Sequence, residues 1–240
     1  MTGGTAGSGG AGSPDYQPCP ETGPCKIMPF GDSITEGCCN FIGGYRVELF
    51  RRALQDGHDI TFVGSVSNGP TTVDGVAFPR DHEGHGGYTI DDEPARGTSG
   101  ISPFVGTSLP SYTPDIITLM IGTNDINGNI DVADAPNRLG TLLDSIRAQD
   151  PDVLVVLAQI IPTQNDGTNQ AVQTYNAAMP QLVSDRVALG YHLILIDMYT
   201  AFTQDANYKN TLLADGLHPN DAGYALMGDT WYAAISEYLR

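Results

Sequence analysis

A serine, an aspartate and a histidine occur in short motifs that suit nucleophilic catalysis. Ser33 lies in the segment FGDSITEG at 30–37, and Asp215 stands three residues before His218 in DGLHP. A serine hydroxyl acts as a nucleophile when a histidine within hydrogen-bond reach takes its proton and a carboxylate orients that histidine. Seen alone, Ser33 is equally well explained as a helix cap and His218 as an ordinary surface residue. Together the two motifs are candidates for a nucleophile, its base and the acid that orients the base.

Two further motifs contain groups that can donate hydrogen bonds to a developing negative charge. Asn124 lies in GTND at 122–125, where its side-chain amide can point at an oxyanion. The segment HGGY at 85–88 contains glycines whose backbone N–H groups can approach a substrate closely. Either motif alone marks an ordinary turn, so their value depends on whether the fold brings them next to Ser33.

The segments between these motifs predict the fold that positions them. Apolar runs predict five strands: 26–30, 60–66, 115–121, 153–161 and 193–198. The intervening stretches predict four helices: 44–55, 136–148, 169–189 and 220–239, the last with Asn220 as its N-cap. Strands that alternate with helices favour a parallel sheet between two helix layers. In such a sheet, active groups gather on loops beyond the carboxyl ends of the strands, where the motifs fall.

In chain order the motifs read GDS, GG, GTND and DxxH, and this order resembles the SGNH (GDSL-like) hydrolase superfamily. Four blocks of that superfamily carry an invariant Ser, Gly, Asn and His, and the resemblance extends from about Lys26 to the carboxyl terminus. It implies an α/β fold of the flavodoxin-like SGNH hydrolase type. The expected architecture is a three-layer αβα sandwich with a central parallel five-stranded sheet.

The resemblance also implies the catalytic roles of three residues. Ser33 is expected to be the nucleophile and His218 the base, with Asp215 orienting His218. The implied reaction is acyl transfer in two steps through a covalent acyl-enzyme. This mechanism requires no metal ion and no organic cofactor, and we expect neither.

The oxyanion hole that the resemblance implies has three donors. They are the backbone N–H of Ser33, the backbone N–H of Gly87 and the side chain of Asn124. Gly86 is the alternative to Gly87, because the two adjacent glycines of HGGY permit two alignments one residue apart.

Several segments resemble one family within the superfamily, carbohydrate esterase family three. They are MPFGDSITEG (28–37), GGYR (43–46), FVGS (62–65), HEGHGGYTI (82–90) and DGLHPNDAGY (215–224). Members of that family typically remove acetyl groups from xylan, so the resemblance implies a serine esterase whose partner is an acetylated polysaccharide or oligosaccharide. Two alternatives stay open: a lipase or thioesterase acting on lipid acyl esters, and a non-catalytic carbohydrate-binding module. The loops between 69 and 110 are rich in Gly, Asp, Thr and Ser, which favours a polar, open cleft.

The composition predicts one globular domain with an acidic surface. The chain has 240 residues and a formal net charge of −17, from 11 Lys and Arg against 28 Asp and Glu. This charge disfavours nucleic acids and anionic membranes as partners, and no stretch approaches the roughly 20 apolar residues of a spanning helix.

Residues 15–240 are predicted to be a single SGNH hydrolase catalytic domain. Residues 1–14 are rich in Gly and Ser, which predicts a flexible linker to other secreted domains, or a cloning remnant, and not an intact signal peptide.

Four cysteines cluster around the first predicted strand. They are Cys19, Cys25, Cys38 and Cys39. Their even number suits two disulfides in an oxidising compartment, which predicts a secreted, extracellular protein. One alternative is a four-thiolate zinc site, although the spacing lacks the paired C-x-x-C motifs that are usual for such sites. The other alternative is free thiols. Four cysteines permit three pairings, and the sequence does not choose among them.

Several other residues invite a functional interpretation. His82 and His85 resemble metal ligands, but their spacing in a glycine-rich loop does not fix a ligand geometry, so loop or cleft roles are predicted. Asp32 is predicted to form a turn rather than to act as a second acid. Arg46 either braces the nucleophile loop through a carboxylate or is an exposed helix residue. Trp231 lies at core-like spacing on the last predicted helix and is predicted to be buried.

Overall fold

The computed structural model describes residues 16–39 and 41–240, so the linker predicted at 1–14 lies outside the described residues. The described residues contain these strands: β1 (Cys25–Gly31), β2 (Ile60–Phe62), β3 (Val66–Ser67), β4 (Thr72–Val73), β5 (Val76–Ala77), β6 (Asp81–Gly84), β7 (Ile116–Met120), β8 (Leu154–Ala158) and β9 (Leu193–Ile196). Seven of these strands form one sheet, and β4 pairs with β5 in a separate hairpin.

Strands at the five predicted positions, together with β6, form the parallel part of the sheet. β1 pairs with β7, β7 with β8, and β8 with β9, all in parallel. β2 pairs in parallel with the first residues of β1, and β6 with its last two. Every residue of β7 and β8 is buried, as expected for central strands that are covered on both faces.

The prediction of five strands was too low, because two short strands, β3 and β6, also join the sheet. The segment 60–66 was predicted as one strand, but it divides at Gly64, whose φ of 154° breaks the extended run. A Cβ at this position would lie 2.1 Å from the carbonyl carbon of His82. Gly64 thus lets the chain turn against β6, with which β3 pairs antiparallel.

Helices of very different lengths connect the strands. They are α1 (Ser33–Glu36), α2 (Arg46–Asp56), α3 (Ser108–Tyr112), α4 (Thr123–Asn127), α5 (Ala135–Gln149), α6 (Asp166–Val187), α7 (Met198–Thr203), α8 (Tyr208–Thr211) and α9 (Asp221–Ile235). Short 3₁₀ turns lie at Ser102–Gly106 and Ser236–Tyr238. None of the described helices combines the length and the apolar character that crossing a membrane requires.

Helix pairs cover the sheet and complete the predicted three-layer αβα sandwich. α2 packs against α9, and α5 packs against α6. Asn220 caps α9 as predicted, because its side chain accepts a 3.0 Å hydrogen bond from the N–H of Gly223. Trp231 is fully buried in the core, which confirms the interpretation of its spacing. The sandwich therefore holds the carboxyl ends of β1, β6 and β7 side by side.

Replacing Gly84 with alanine is expected to disturb the contact between β6 and α1. A Cβ at position 84 would lie 2.4 Å from the backbone nitrogen of Glu36, which no side-chain rotation relieves. Overpacking of this kind should lower the free energy of unfolding in urea by about 1–3 kcal/mol. The matched control is Gly106→Ala, because a Cβ there meets nothing within 4 Å. Equal stability of the two variants would contradict the tight contact.

Candidate active site

Ser33, His218 and Asp215 form one chain of hydrogen bonds at the carboxyl edge of the sheet. Ser33 follows β1 directly and is the first residue of α1. Its Oγ lies 2.9 Å from Nε2 of His218, and Nδ1 of His218 lies 2.8 Å from Oδ2 of Asp215. The fold thus brings together three residues that stand up to 185 positions apart, and this geometry lets the imidazole accept the serine proton.

The loop that contains Asp215 and His218 holds the two residues in a fixed relation. Oδ1 of Asp215 accepts hydrogen bonds from the backbone N–H of Leu217 at 3.0 Å and of His218 at 2.8 Å. Partial burial raises the pKa of Asp215, but the hydrogen bonds from His218 and Leu217 outweigh it, so the pKa stays below its usual value. Asp215 is therefore ionised at neutral pH and can hold the Nδ1 proton of His218.

Asp32 begins α1 and is fully buried behind the nucleophile. Its side chain accepts a 2.9 Å hydrogen bond from the N–H of Ile34, which makes it the N-cap of the helix. This confirms its prediction as a turn-forming residue. Burial raises the pKa of Asp32 to about 6, although the hydrogen bond from Ile34 partly opposes the shift.

Of the two glycines that are candidates for the oxyanion hole, Gly86 lies close to Ser33. A Cβ built on Gly86 would lie 3.9 Å from Cβ of Ser33. Gly87 adopts a φ of 80° and is exposed. Within residues 16–39 and 41–240, the backbone N–H groups of Ser33, Gly86 and Gly87 make no hydrogen bond. These three donors are therefore free to bind a ligand oxygen.

Asn124 is half-buried at the start of α4, and its side chain links two of the predicted motifs. Its Nδ2 donates a 2.8 Å hydrogen bond to the carbonyl oxygen of Tyr88. A side-chain amide nitrogen has two hydrogens, so one donor remains after this contact. The bond ties the loop that contains Gly86 and Gly87 to the loop after β7.

A buried ion pair, which the sequence did not reveal, supports Asn124. Oδ1 of the neighbouring Asp125 lies 2.6 Å from Nη1 of Arg138 on α5, and both side chains are largely buried. The other carboxylate oxygen of Asp125 accepts a 3.2 Å hydrogen bond from the N–H of Ile90. Asp125 therefore connects α4, α5 and the segment that follows the glycine motif.

His82 and His85 have separate partners and do not converge on one point. Burial lowers the pKa of His82 to about 3, and its Nδ1 accepts a hydrogen bond from the N–H of Gly84. Nε2 of His85 lies 2.7 Å from Oε1 of buried Glu83, which also accepts two hydrogen bonds from Ser65. These contacts fix the segment that leads into Gly86 and Gly87, and they agree with the predicted loop roles.

Arg46 is fully buried, so it is not the exposed helix residue of one prediction, and its hydrogen bonds go mainly to carbonyl oxygens. Its Nη2 donates to the carbonyl of Glu36 at the end of α1, and Nη1 donates to the carbonyls of Asn68 and Arg80. Nη2 also donates to the side-chain oxygen of Asn68. Arg46 thus braces the nucleophile helix as one alternative predicted, but without a carboxylate. Burial lowers its pKa to about 10, so it stays charged at neutral pH.

The four cysteines form two disulfides, which selects one of the three possible pairings. Cys19 pairs with Cys25 in the core, and Cys38 pairs with its neighbour Cys39. The second disulfide belongs to the candidate site: Cys38 donates its N–H to the carbonyl of Ser33, and Sγ of Cys39 lies 3.8 Å from Nδ1 of His218.

A family model matches most of the chain. The match covers residues 30–226 and is to the GDSL-like Lipase/Acylhydrolase family. The chain belongs to this family. The matched segment contains all of the residues that form the hydrogen-bonded chain between Ser33 and Asp215.

Individual relatives of this GDSL-like hydrolase include esterases. It is 33% identical over 234 residues to a multidomain esterase of Ruminococcus flavefaciens, a match that covers 91% of this chain and 29% of the relative. A solved family 3 carbohydrate esterase of Clostridium thermocellum is 32% identical, with a TM-score of 0.72 over 89% of this chain and 96% of that one. A carbohydrate esterase family 3 structure from Talaromyces cellulolyticus is 26% identical, with a TM-score of 0.70 over 89% and 97%.

The family match and these relatives confirm the predicted resemblance. The chain is a member of the GDSL-like lipase/acylhydrolase family and has the SGNH hydrolase fold. It spans 29% of the length of the multidomain esterase that it matches. The similarity to the Ruminococcus protein therefore concerns one part of a longer chain.

Asp32→Asn is expected to change how stability depends on pH. The pKa of Asp32 in the folded protein is about 6, above its ordinary value of 3.8. Such a carboxyl stabilises the fold fully below the unfolded pKa, and this contribution is lost as the pH rises through the folded pKa. Between about pH 4 and pH 7, the wild type should lose on the order of 3 kcal/mol of unfolding free energy relative to Asp32→Asn. Urea titrations at several pH values measure this difference, and parallel profiles would contradict the burial of a charged Asp32.

Proposed function

We propose that this hydrolase removes O-acetyl groups from polysaccharide, with acetylated xylan as the substrate, by a Ser-His-Asp acyl-enzyme mechanism. The observation that carries the proposal is the hydrogen-bonded chain Ser33–His218–Asp215. Its relatives are family 3 carbohydrate esterases, at 32% and 26% identity over nearly the whole domain. Together these observations favour an ester of a sugar hydroxyl over other acyl esters.

The first half of the reaction transfers the acetyl group to the enzyme. Oγ of Ser33 attacks the ester carbonyl while Nε2 of His218 takes the hydroxyl proton, and Asp215 stabilises the resulting imidazolium. His218 then gives this proton to the departing sugar oxygen, which leaves as a hydroxyl. In the second half, His218 activates a water molecule that attacks the acetyl-Ser33 ester, and acetate leaves.

The oxyanion of both tetrahedral intermediates needs donors that are already oriented. In this proposal the donors are the N–H of Ser33, the N–H of Gly87 and the free hydrogen of the Asn124 amide. Gly86 remains the alternative to Gly87, and its closeness to Ser33 supports that alternative. Removal of one such donor typically costs about 10²–10³ in kcat.

An open groove at the start of α9, the helix that follows the loop of Asp215 and His218, supports a polar polymer as the substrate, although none of the three triad residues lines it. The groove has a volume of about 510 Å³, and Phe41 and Tyr224 form one part of its lining. The side chains of Glu48, Arg51 and Asp221 also line it. Charged hydrogen-bonding groups suit the hydroxyls of a sugar chain, whereas they oppose a long acyl chain because burying them there costs free energy.

Lipid acyl esters are the second candidate substrate, and one observation favours them. Ile42 lines the same groove and exposes 60% of its surface, so an apolar chain can contact it. A third candidate, a non-catalytic carbohydrate-binding module, is disfavoured because the Ser33–His218 and His218–Asp215 contacts of a working triad are both present.

Secretion and tethering complete the proposal. Two disulfides agree with an oxidising compartment and hence with secretion. Residues 15–240 act as the single catalytic domain, and residues 1–14 tether it to other secreted domains. The multidomain esterase of Ruminococcus flavefaciens supports this arrangement, because the present chain matches only 29% of its length.

Asn124→Ala is expected to lower kcat for ester hydrolysis by about 10²–10³ with a smaller effect on KM, because the amide stabilises the oxyanion only in the transition state. Steady-state kinetics measure this split. The matched control is Asn127→Ala, since Asn127 is exposed on the same helix and its amide contacts only the carbonyl of Thr123. Thermal unfolding of both variants separates loss of the Tyr88 contact from loss of catalysis. An unchanged kcat in Asn124→Ala would remove this residue from the oxyanion hole.

Acetate release from acetylated xylan tests the whole proposal. Ser33→Ala should lower the rate by about 10⁶, and Asp215→Ala by about 10⁴ or less, because the half-exposed Asp215 site admits water to the Nδ1 proton of His218. A long-chain ester serves as the parallel substrate. Cleavage of the long-chain ester alone would keep Ser33 as nucleophile but favour the lipid candidate. No cleavage of any ester by folded wild type would favour the binding-module candidate.

A further inference from the structure

The disulfide between Cys38 and Cys39 lies against the candidate base and has no role in the acyl-transfer mechanism. Sγ of Cys39 lies 3.8 Å from Nδ1 of His218, and the ligand atoms of both cysteines and His218 lie within 4.8 Å of one another. Cys39 is exposed and Cys38 is half-buried, whereas Cys19 and Cys25 expose at most 4% of their surface. The adjacent pair is therefore the disulfide that a solvent-borne reductant reaches first.

We propose that the reduced form of this pair, together with His218, is a binding site for Zn²⁺ or a similar thiophilic metal ion. A small-molecule dithiol supplies two electrons and two protons, so that the Cys38–Cys39 bond breaks into two thiols and the dithiol becomes a cyclic disulfide. Zn²⁺ then replaces the two thiol protons and takes the place of the Nδ1–H···Asp215 hydrogen bond, so that it binds both thiolates and Nδ1 of His218. Water fills the fourth position, because Cys39 is exposed.

The distance between Cys39 and His218 fits this ligand set. Zn–S bonds of about 2.3 Å and Zn–N bonds of about 2.0–2.1 Å, at a tetrahedral angle, separate the sulfur and nitrogen by about 3.6 Å. The observed separation is 3.8 Å. The same geometry separates two sulfurs by about 3.8 Å, which is possible only after the bond between Cys38 and Cys39 is broken. The site therefore exists in the dithiol form and not in the disulfide form.

Metal binding would remove the base from the proposed mechanism. A neutral imidazole carries one proton, and in the triad this proton is on Nδ1 and is donated to Asp215. A metal ion on Nδ1 moves the proton to Nε2, so that Nε2 can no longer accept the proton of Ser33. The expected loss of ester hydrolysis rests on the proposed function of His218 as the base, whereas metal binding itself does not.

The binding experiment uses the full chain reduced with dithiothreitol, freed of reductant under anaerobic conditions and then dialysed against Zn²⁺ alone. Thiol titration of the folded protein should find two new thiols, and elemental analysis should find one zinc per chain. The oxidised protein and the Cys38→Ser/Cys39→Ser variant, which retains the buried Cys19–Cys25 disulfide, should bind none at this site. No new thiols, or equal zinc content in all three samples, would overturn the proposal.

His218→Ala tests the nitrogen ligand without any activity measurement. The reduced variant should bind Zn²⁺ at least about tenfold more weakly than the reduced wild type, since loss of even an outer-shell partner costs 10- to 100-fold. Unchanged affinity would exclude His218 from the ligand set and overturn this part of the proposal.

Ester hydrolysis provides the second readout. Activity of the reduced wild type should fall in proportion to the zinc bound and return with a chelator. The oxidised enzyme and the double serine variant, each compared with its own zinc-free rate, should respond to neither zinc nor chelator. Full activity with one zinc bound per chain would show that the metal leaves His218 free. If the protein hydrolyses no ester at all, the proposed function fails, and the stoichiometry and the His218→Ala affinity still decide on the metal site.

Discussion

Gly31 pairs with Gly84 of β6 on one side and with Met120 of β7 on the other, and the candidate site depends on this double register. Ser33 and Gly86 each stand two residues beyond their paired glycine, and Asn124 stands four residues beyond Met120. The loops that follow β1, β6 and β7 therefore begin next to one another at the same edge of the sheet. A Cβ on Gly31 would lie 2.2 Å from the carbonyl oxygen of Met120, so only glycine permits this approach.

Buried polar groups stabilise what the register brings together. Arg46 donates a hydrogen bond to the carbonyl at the end of α1. Glu83 contacts His85, the residue before the two glycines. Asp125, the neighbour of Asn124, forms an ion pair with Arg138. Removal of one partner from such a contact leaves a buried group unsatisfied, which is far more costly than the net gain of making the bond. The loops around Ser33 are thus held by contacts whose loss is strongly unfavourable, and this suits a site that must be oriented before substrate binds.

Local patterns in the sequence were sufficient for the parts of the fold that depend on short-range information. Continuous apolar runs predicted β7 and β8 because both faces of these strands are covered, and Asn220 predicted the start of α9 because its side chain caps the helix. The motifs also singled out His218 and Asp215, which the fold brings into one hydrogen-bonded chain with Ser33. All of these signals lie within a few residues of the structure they specify.

Features that depend on partners distant in the chain were not predictable. Arg46 binds carbonyl oxygens, and every residue type has one, so no sequence pattern marks its partners. The split of the segment 60–66 depends on the approach of His82 to Gly64. Cys38 and Cys39 were visible as a pair, but their contact with His218 spans 179 positions and required the fold.

The short loop that contains Asp215 and His218 is cross-linked by hydrogen bonds of its own. Asp215 binds both the ring and the backbone of His218, and a bridge between Leu213 and Pro219 closes the loop at its base. Displacement of this loop would stretch the 2.9 Å contact to Ser33 and the 2.8 Å hydrogen bond that the N–H of Gln164 donates to the carbonyl of Gly216. The hydrogen bonds between Asp215 and His218 lie within the loop, so such a displacement would separate the base from the nucleophile while the acid and the base stay together.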